Sequence, residues 1–229
     1  LFADNTTCWY EGCVMPDDSE TPIQNAIDAA TPGDEILLAY GIYTEDVQIE
    51  KDIILRSIIG AENTIIDGSL NRNMGSAIII RPESMSTHQP IVEIDGFGIT
   101  NGKGSNIINK TISSPDGIYP IERVGGGMLV YVNTPKVNDC QFLENGDNTI
   151  DRGGAGFAAS DTEDCDWSTR DDYIDAEDLT PAEGSLDFSN NTFIGNIANQ
   201  GYSIYIVGHE YETVSMANNR LDVFSTEYN

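Results

Sequence analysis

Asp95-Gly-Phe-Gly-Ile-Thr-Asn-Gly102, Asp139-Cys-Gln-Phe-Leu-Glu-Asn-Gly146 and Asn191-Thr-Phe-Ile-Gly-Asn196 share an aromatic residue, then small or polar residues, then asparagine. Phe97, Phe142 and Phe193 lie 45 and 51 residues apart. Each interval contains an insertion of roughly 20 to 25 residues, and removing it leaves a repeat of about 25. Ile66-Asp-Gly68 returns as Ile94-Asp-Gly96, at an offset of 28. A repeat of this length fits three short strands and three turns per coil, with one apolar residue stacked above its equivalent in the next coil. The expected fold is all-β: a parallel β-helix, a solenoid of about 25 residues per coil, with long loop insertions.

Working outward, the runs Glu35–Ala39, Val47–Glu50, Asp52–Arg56, Thr64–Asp67, Ala77–Ile80 and Ile91–Ile94 are β-rich and bounded by Gly, Asn, Asp or Pro. The gaps between them leave no room for crossover helices, which disfavours a doubly wound sheet. Before them, Thr21-Pro-Ile-Gln-Asn-Ala-Ile-Asp-Ala-Ala30 predicts a short helix. Thr21 is the expected N-cap, Pro22 stands at the first helical position, and Gln24 would complete a capping box. Ile23, Ala26, Ile27 and Ala30 share one face. The expected organisation is a cysteine-bearing segment over 1–20 and one β-helix domain over 21–229, interrupted at about 103–124 and 159–185.

Residues 23–49 resemble the opening of secreted right-handed parallel β-helix proteins of the pectin-lyase-like superfamily. Gly125-Gly-Gly-Met128 with Phe142-Leu-Glu-Asn145, and Gly153-Gly-Ala-Gly156 with Phe193-Ile-Gly-Asn196, resemble the repeats of polymorphic outer-membrane protein passengers. The resemblance implies the fold; it does not specify an activity, because such folds carry lyases, hydrolases, esterases, adhesins and structural proteins. In these repeats a glycine pair permits a tight corner, phenylalanine fills the interior, and asparagine can form a ladder from coil to coil.

The 229 residues carry 38 acidic and 11 basic side chains, a formal net charge of −27. Such a field repels nucleic acid and anionic membranes, so neither is an expected partner. Calcium is the expected cofactor, if there is one. Ten carboxylates crowd residues 161–183 against Arg170 alone, and Asp161, Glu163, Asp164, Asp166, Asp171, Asp172 and Asp175 are the candidate ligands. The stretch lacks the glycine and the distal glutamate of an EF-hand loop.

Cys8, Cys13, Cys140 and Cys165 match no zinc spacing; three disulfide connectivities are open, and Cys8–Cys13 with Cys140–Cys165 is the favoured one, which implies an oxidising compartment. No apolar run reaches membrane-spanning length, and the chain starts at Leu1 without methionine. Export after signal removal, to an extracellular or cell-surface location, is therefore expected. Asn5, Asn109 and Asn190 begin glycosylation sequons.

No catalytic constellation emerges. Arg123 and Arg152 match no lyase motif, and their ordinary role is a surface ion pair. Asp171-Asp172 and Gly208-His-Glu210 depart from the signatures of glycosidases of this fold. His88 and His209 have no nucleophile motif near them. Tyr202, Tyr205 and Tyr211, with Trp9 and Trp167, would offer a sugar-stacking platform only if exposed together.

The expected function is that of a non-enzymatic structural or adhesive protein, a subunit assembling head-to-tail with itself or with other surface proteins. A polysaccharide lyase or hydrolase and a carbohydrate-binding module are the alternatives.

Overall fold

The computed structural model describes residues 21–70, 75–83, 88–109, 120–159, 165–167, 184–207 and 211–221. They form one helix, α1 (Pro22–Ala29), and twenty strands. The chain visits three parallel sheets in turn. It enters the first at β1 (Asp34–Leu38), the second at β2 (Gly41–Thr44) and the third at β3 (Val47–Ile49). It then returns to the first at β4 (Ile53–Ser57), the second at β5 (Thr64–Asp67) and the third at β6 (Ile78–Ile80).

The third circuit is β7 (Val92–Asp95), β8 (Gly98–Thr100) and, after an excursion, β11 (Met128–Tyr131). The fourth is β12 (Lys136–Asn138), β13 (Gln141–Leu143) and β14 (Gly156–Ala159). The fifth is β16 (Gly184–Ser189), β17 (Thr192–Ile194) and β18 (Ile204–Val207), and the described chain ends with β19 (Tyr211–Ser215) and β20 (Arg220–Leu221). This mostly-β architecture of parallel sheets is compatible with the expected solenoid.

Register makes the core. In the second sheet Tyr43, Ile66, Ile99, Phe142, Phe193 and Leu221 occupy one row. The Phe142 and Phe193 rings stack with centroids 5.0 Å apart, a contact worth about 0.5–1.5 kcal/mol beyond burial itself. Ile36, Leu55, Ile94, Val137 and Phe188 form the row of the first sheet, and Ile49, Ile80, Val130, Ala158 and Ile206 a row of the third.

Two repeat assignments change. Phe97 precedes β8 and aligns with Cys140, so the row partner of Phe142 is Ile99. Ile66 aligns with Ile99, whereas Ile94 belongs to the first sheet, so the offset of 28 between the Ile-Asp-Gly triplets is not a coil repeat. Both sheets place an inward isoleucine just before a turn, which produces the false match. The true separations are 43 from Gly102 to Asn145, 51 from Asn145 to Asn196, and 28 from Asn191 to Asn219, where no long insertion intervenes.

Two side-chain ladders flank the second sheet. On one side Asn145 Oδ1 accepts the Gly102 N–H at 3.1 Å, and Asn196 Oδ1 accepts the Asn145 N–H at 3.0 Å. The amide nitrogens of Asn145 and Asn196 donate to the carbonyls of Ile99 and Phe142. The other side repeats the pattern with Cys140, Asn191 and Asn219. Each corner would otherwise bury an unpaired N–H and C=O, and one asparagine satisfies both.

Corner glycines such as Gly102 and Gly126 stand where the next circuit comes too close for a side chain. A Cβ on Gly102 would lie 1.8 Å from the Gly126 carbonyl oxygen, and one on Gly126 would lie 2.2 Å from that of Gly154.

The helix closes the first circuit, but not by the expected cap. Thr21 makes no side-chain capping bond. Buried Glu45 replaces it from the far side of the first circuit: its two carboxylate oxygens accept the Ile23 and Gln24 N–H groups at 2.9 Å each. A carboxylate at the positive end of the helix supplies both hydrogen bonds and charge. Gln24, freed from the capping box, pairs its amide with the edge of β3, accepting from Gln48 N–H and donating to Gln48 C=O. Ile23 and Ile27 face the core as expected.

The two insertions meet. β9 (Ser105–Asn109) and β10 (Ile121–Val124) come from the first, β15 (Cys165–Trp167) from the second, and they pair antiparallel in the order β10-β9-β15. Ile107 and Val124 join Leu129, Tyr131 and Phe157 of the third sheet in a second apolar cluster.

Candidate functional site

Of the seven candidate calcium ligands, only Asp166 lies among the described residues, on β15 opposite Ile108. Asp161, Glu163, Asp164, Asp171, Asp172 and Asp175 lie outside them, as do Cys8, Cys13 and Asn5. Among the described residues no group of three or more His, Cys, Asp or Glu is placed to hold a metal ion. Asn109 sits on β9 opposite Cys165. Asn190 is exposed at a corner with φ +59°, where its Oδ1 accepts a hydrogen bond from Asn218.

The Cys140–Cys165 bridge is corrected: Cys140 is a free, buried thiol. Its side chain is held inside the ladder, where Sγ accepts the Phe97 N–H, donates its one proton to the Asn138 carbonyl at 3.2 Å and lies 4.0 Å from that of Ile94. Cys165 belongs instead to the antiparallel strand β15. Burial pushes the Cys140 thiol up to about 12, which removes it from nucleophilic chemistry at neutral pH.

Arg152 is committed on two sides. Its Nε pairs with Glu122 at 3.1 Å, both side chains being nearly buried, while Nη1 donates to the Tyr205 hydroxyl at 2.6 Å. The guanidinium also lies 4.9 Å from the Tyr205 ring centroid, and that ring stacks on Phe157. Arg123 donates through Nη1 to Thr149 and through its backbone N–H to Asp151. His88 pairs with Asp52 at 2.8 Å, and His209 lies outside the described residues.

Tyr205 and Tyr211 pack against the second apolar cluster, whereas Tyr202 is exposed. The tyrosines therefore do not share one stacking platform. Trp9 lies outside the described residues, and Trp167 is on β15.

Sequence reasoning missed a cleft of about 400 Å³ between α1 and β3, lined by Gln24, Asp28, Asp46, Gln48, Glu50 and Lys51. Lys51 Nζ donates to the carbonyls of Asp28 and Ala30, placing a cation at the negative end of the helix. Glu50 accepts from Gln48 and from Arg81. These interactions hold the helix over the first circuit. No spacing rule links residues 24–28 to 46–51, so only the fold reveals the cleft.

No family model, curated protein or solved structure matches this chain. No described helix is long and apolar enough to cross a membrane.

Proposed function

We propose that the chain is a right-handed parallel β-helix of the pectin-lyase-like kind that works as an exported, non-enzymatic scaffold, joining copies of itself or other surface proteins end to end at a cell surface or in a matrix. The cyclic visit to three parallel sheets supports the architecture. The resemblance of residues 23–49 and the general preference of strand–crossover–strand connections for the right-handed sense support the handedness.

One observation carries the role: the two ends of the stack differ. At the first end a helix, a capping carboxylate and an edge-pairing glutamine cover the opening circuit. At the other, β18, β19 and β20 are the last described strands of the three sheets, and Val214 and Leu221 are partly exposed there. Strand edges pair with further strands, and this difference between the two described ends supports end-to-end contact as the role. Calcium, in this reading, screens the acidic insertion rather than serving chemistry.

The test is electron microscopy and sedimentation of the protein isolated from its source, beside a panel of polysaccharides. Ordered assemblies without sugar release are expected. Release of unsaturated or reducing sugars would replace this reading with a lyase or hydrolase, and binding without release or assembly would replace it with a carbohydrate-binding module.

A further inference from the structure

We propose that Asn101, in the pair Asn101-Gly102, is a spontaneous deamidation site that the asparagine ladder holds shut, with Asn145 on the next circuit as its guard. The inference concerns how long the molecule lasts and stands apart from the assembly reading above.

The fold itself demands the labile pair. Asn101 turns the corner after β8 with φ +59°, a left-handed conformation that asparagine tolerates better than most residues. Gly102 follows because a Cβ there would lie 1.8 Å from the Gly126 carbonyl oxygen. The same crowding recurs one circuit on, where Asn145 is followed by Gly146 at φ +80°, and a Cβ on Gly146 would lie 2.1 Å from the Ile197 carbonyl oxygen. Asn-Gly occurs at these two places alone in the chain. Glycine has no side chain to hinder its own nitrogen, so in such a pair that nitrogen reaches the preceding carboxamide readily.

The reaction needs nothing but water. The Gly102 nitrogen bonds to Asn101 Cγ and the bond from Cγ to Nδ2 breaks, so the carboxamide nitrogen leaves as ammonia, taking the Gly102 amide proton. Water then opens the cyclic imide at either carbonyl. The product is aspartate or, with the backbone rerouted through Cβ and Cγ, isoaspartate.

The ladder blocks the attack. The Gly102 N–H is committed to Asn145 Oδ1 at 3.1 Å in a buried contact, and the Asn101 carboxamide is tethered through Nδ2 to Asp67 Oδ1 at 3.0 Å. Asn145 is fixed in turn, its Nδ2 donating to the Ile99 carbonyl at 2.8 Å and its N–H to Asn196 Oδ1 at 3.0 Å. The Gly146 N–H behind it donates to the Gly102 carbonyl at 2.8 Å. Asn145 is fully buried whereas Asn101 is half-buried, so water reaches position 101 first. Once formed, a carboxylate at 101 faces Asp67 where the amide had donated to it, and the like charges push the corner open.

Peptide mass spectrometry after incubation of the full chain in oxygen-labelled water measures aspartate and isoaspartate at 101 and 145. The urea-unfolded chain should deamidate at both positions. The folded chain should be slower by about tenfold or more, with 101 ahead of 145. Asn145→Ala frees the Gly102 N–H and should speed the reaction at 101 by about tenfold while circular dichroism stays that of the folded chain. Asn196→Ala is the matched control: it also removes a ladder member but leaves the bond on the Gly102 N–H in place, so it should not speed 101 to the same extent.

Should Asn145→Ala fail to fold, the parent in low urea decides. Deamidation at 101 should then rise below the unfolding transition, in step with hydrogen exchange of the Gly102 N–H. Equal rates in the folded and unfolded chains would overturn the inference, as would reaction at 145 before 101 or equal acceleration at 101 by the two variants. A rate at 101 that waits for global unfolding would overturn it too, since no local guard would then exist.

Discussion

Cys140 and Asn191 hold the same position in successive circuits, and the Asn191 Oδ1 accepts the Cys140 N–H at 2.9 Å. Sγ of Cys140 also reaches the Ile94 carbonyl, at 4.0 Å, as the amide of Asn191 reaches that of Val137 at 2.8 Å. A thiol thus stands in for an asparagine, with weaker bonds. Cys140→Asn should raise the urea midpoint, by about 0.5–1.5 kcal/mol if both new bonds form, and Cys140→Ala should lower it by a comparable amount. Equilibrium unfolding of the two variants compares them directly.

The same thiol gives a pH signature. Burial raises it from its ordinary 9.0 to about 12, so the unfolded chain ionises first. Its contribution is intact below about pH 9 and is lost as pH rises from there towards about 12. Unfolding midpoints of the parent should therefore fall more steeply above pH 9 than those of Cys140→Ala. Below pH 9, a thiol reagent should label Cys140 only at the rate of unfolding.

The Asn145–Asn196 pair should be cooperative. Asn145 serves the Gly102 N–H and the Ile99 carbonyl, and Asn196 accepts from both the backbone and the side chain of Asn145. Either alanine variant should cost about 1–3 kcal/mol, because buried groups lose their partners. The double variant should cost less than the sum by at least about 0.5 kcal/mol. A double-mutant cycle in urea measures the coupling, and strict additivity would refute a connected ladder.

Glycines of one corner and one row should behave oppositely. Gly102→Ala drives a methyl to within 1.8 Å of a carbonyl oxygen on the next circuit, and folding should be lost or weakened by several kcal/mol. Gly156→Ala meets nothing nearer than 3.8 Å, between Met128 and Ile204 of an inward row, and should be neutral or stabilising by up to about 1 kcal/mol. Thermal unfolding of the two variants separates them.

Glu45→Ala removes the acceptor of two helix N–H groups that no local residue replaces. A loss of about 1–2 kcal/mol is expected, with faster hydrogen exchange across Pro22–Ala29 before the sheets respond. Uniform exchange over the whole chain would show that the helix is not held separately by this carboxylate.

The sequence made the core legible where a side chain's type followed from one physical demand. The run Thr64–Asp67 alternates, and its strand was predictable residue for residue; the helix was legible from proline and isoleucine spacing. Asn145 and Asn196 stood out because a buried corner needs one group that both donates and accepts.

Position within the repeat was harder to read. Phe97 resembles Phe142 in type yet lies two places from the row, because aromatic side chains fill both the row and the ladder corner. Glu45 as a cap and Cys140 as a ladder member were hidden for another reason. Each contact joins segments distant along the chain, and neither residue type advertises the role. The carboxylates of the second insertion were legible as a cluster but not as an arrangement, since Asp166 is the sole candidate ligand the structure places.

Because the strands of each sheet run across the direction in which circuits stack, their hydrogen bonds lie along it. Tension applied between the first and last circuits therefore loads those bonds one circuit at a time rather than all together. Among the described circuits, the last, with its partly exposed rows, should peel first at low force, and the helix-covered circuit last. Anchored by the helix end, such a molecule would lengthen in steps and yield gradually instead of snapping.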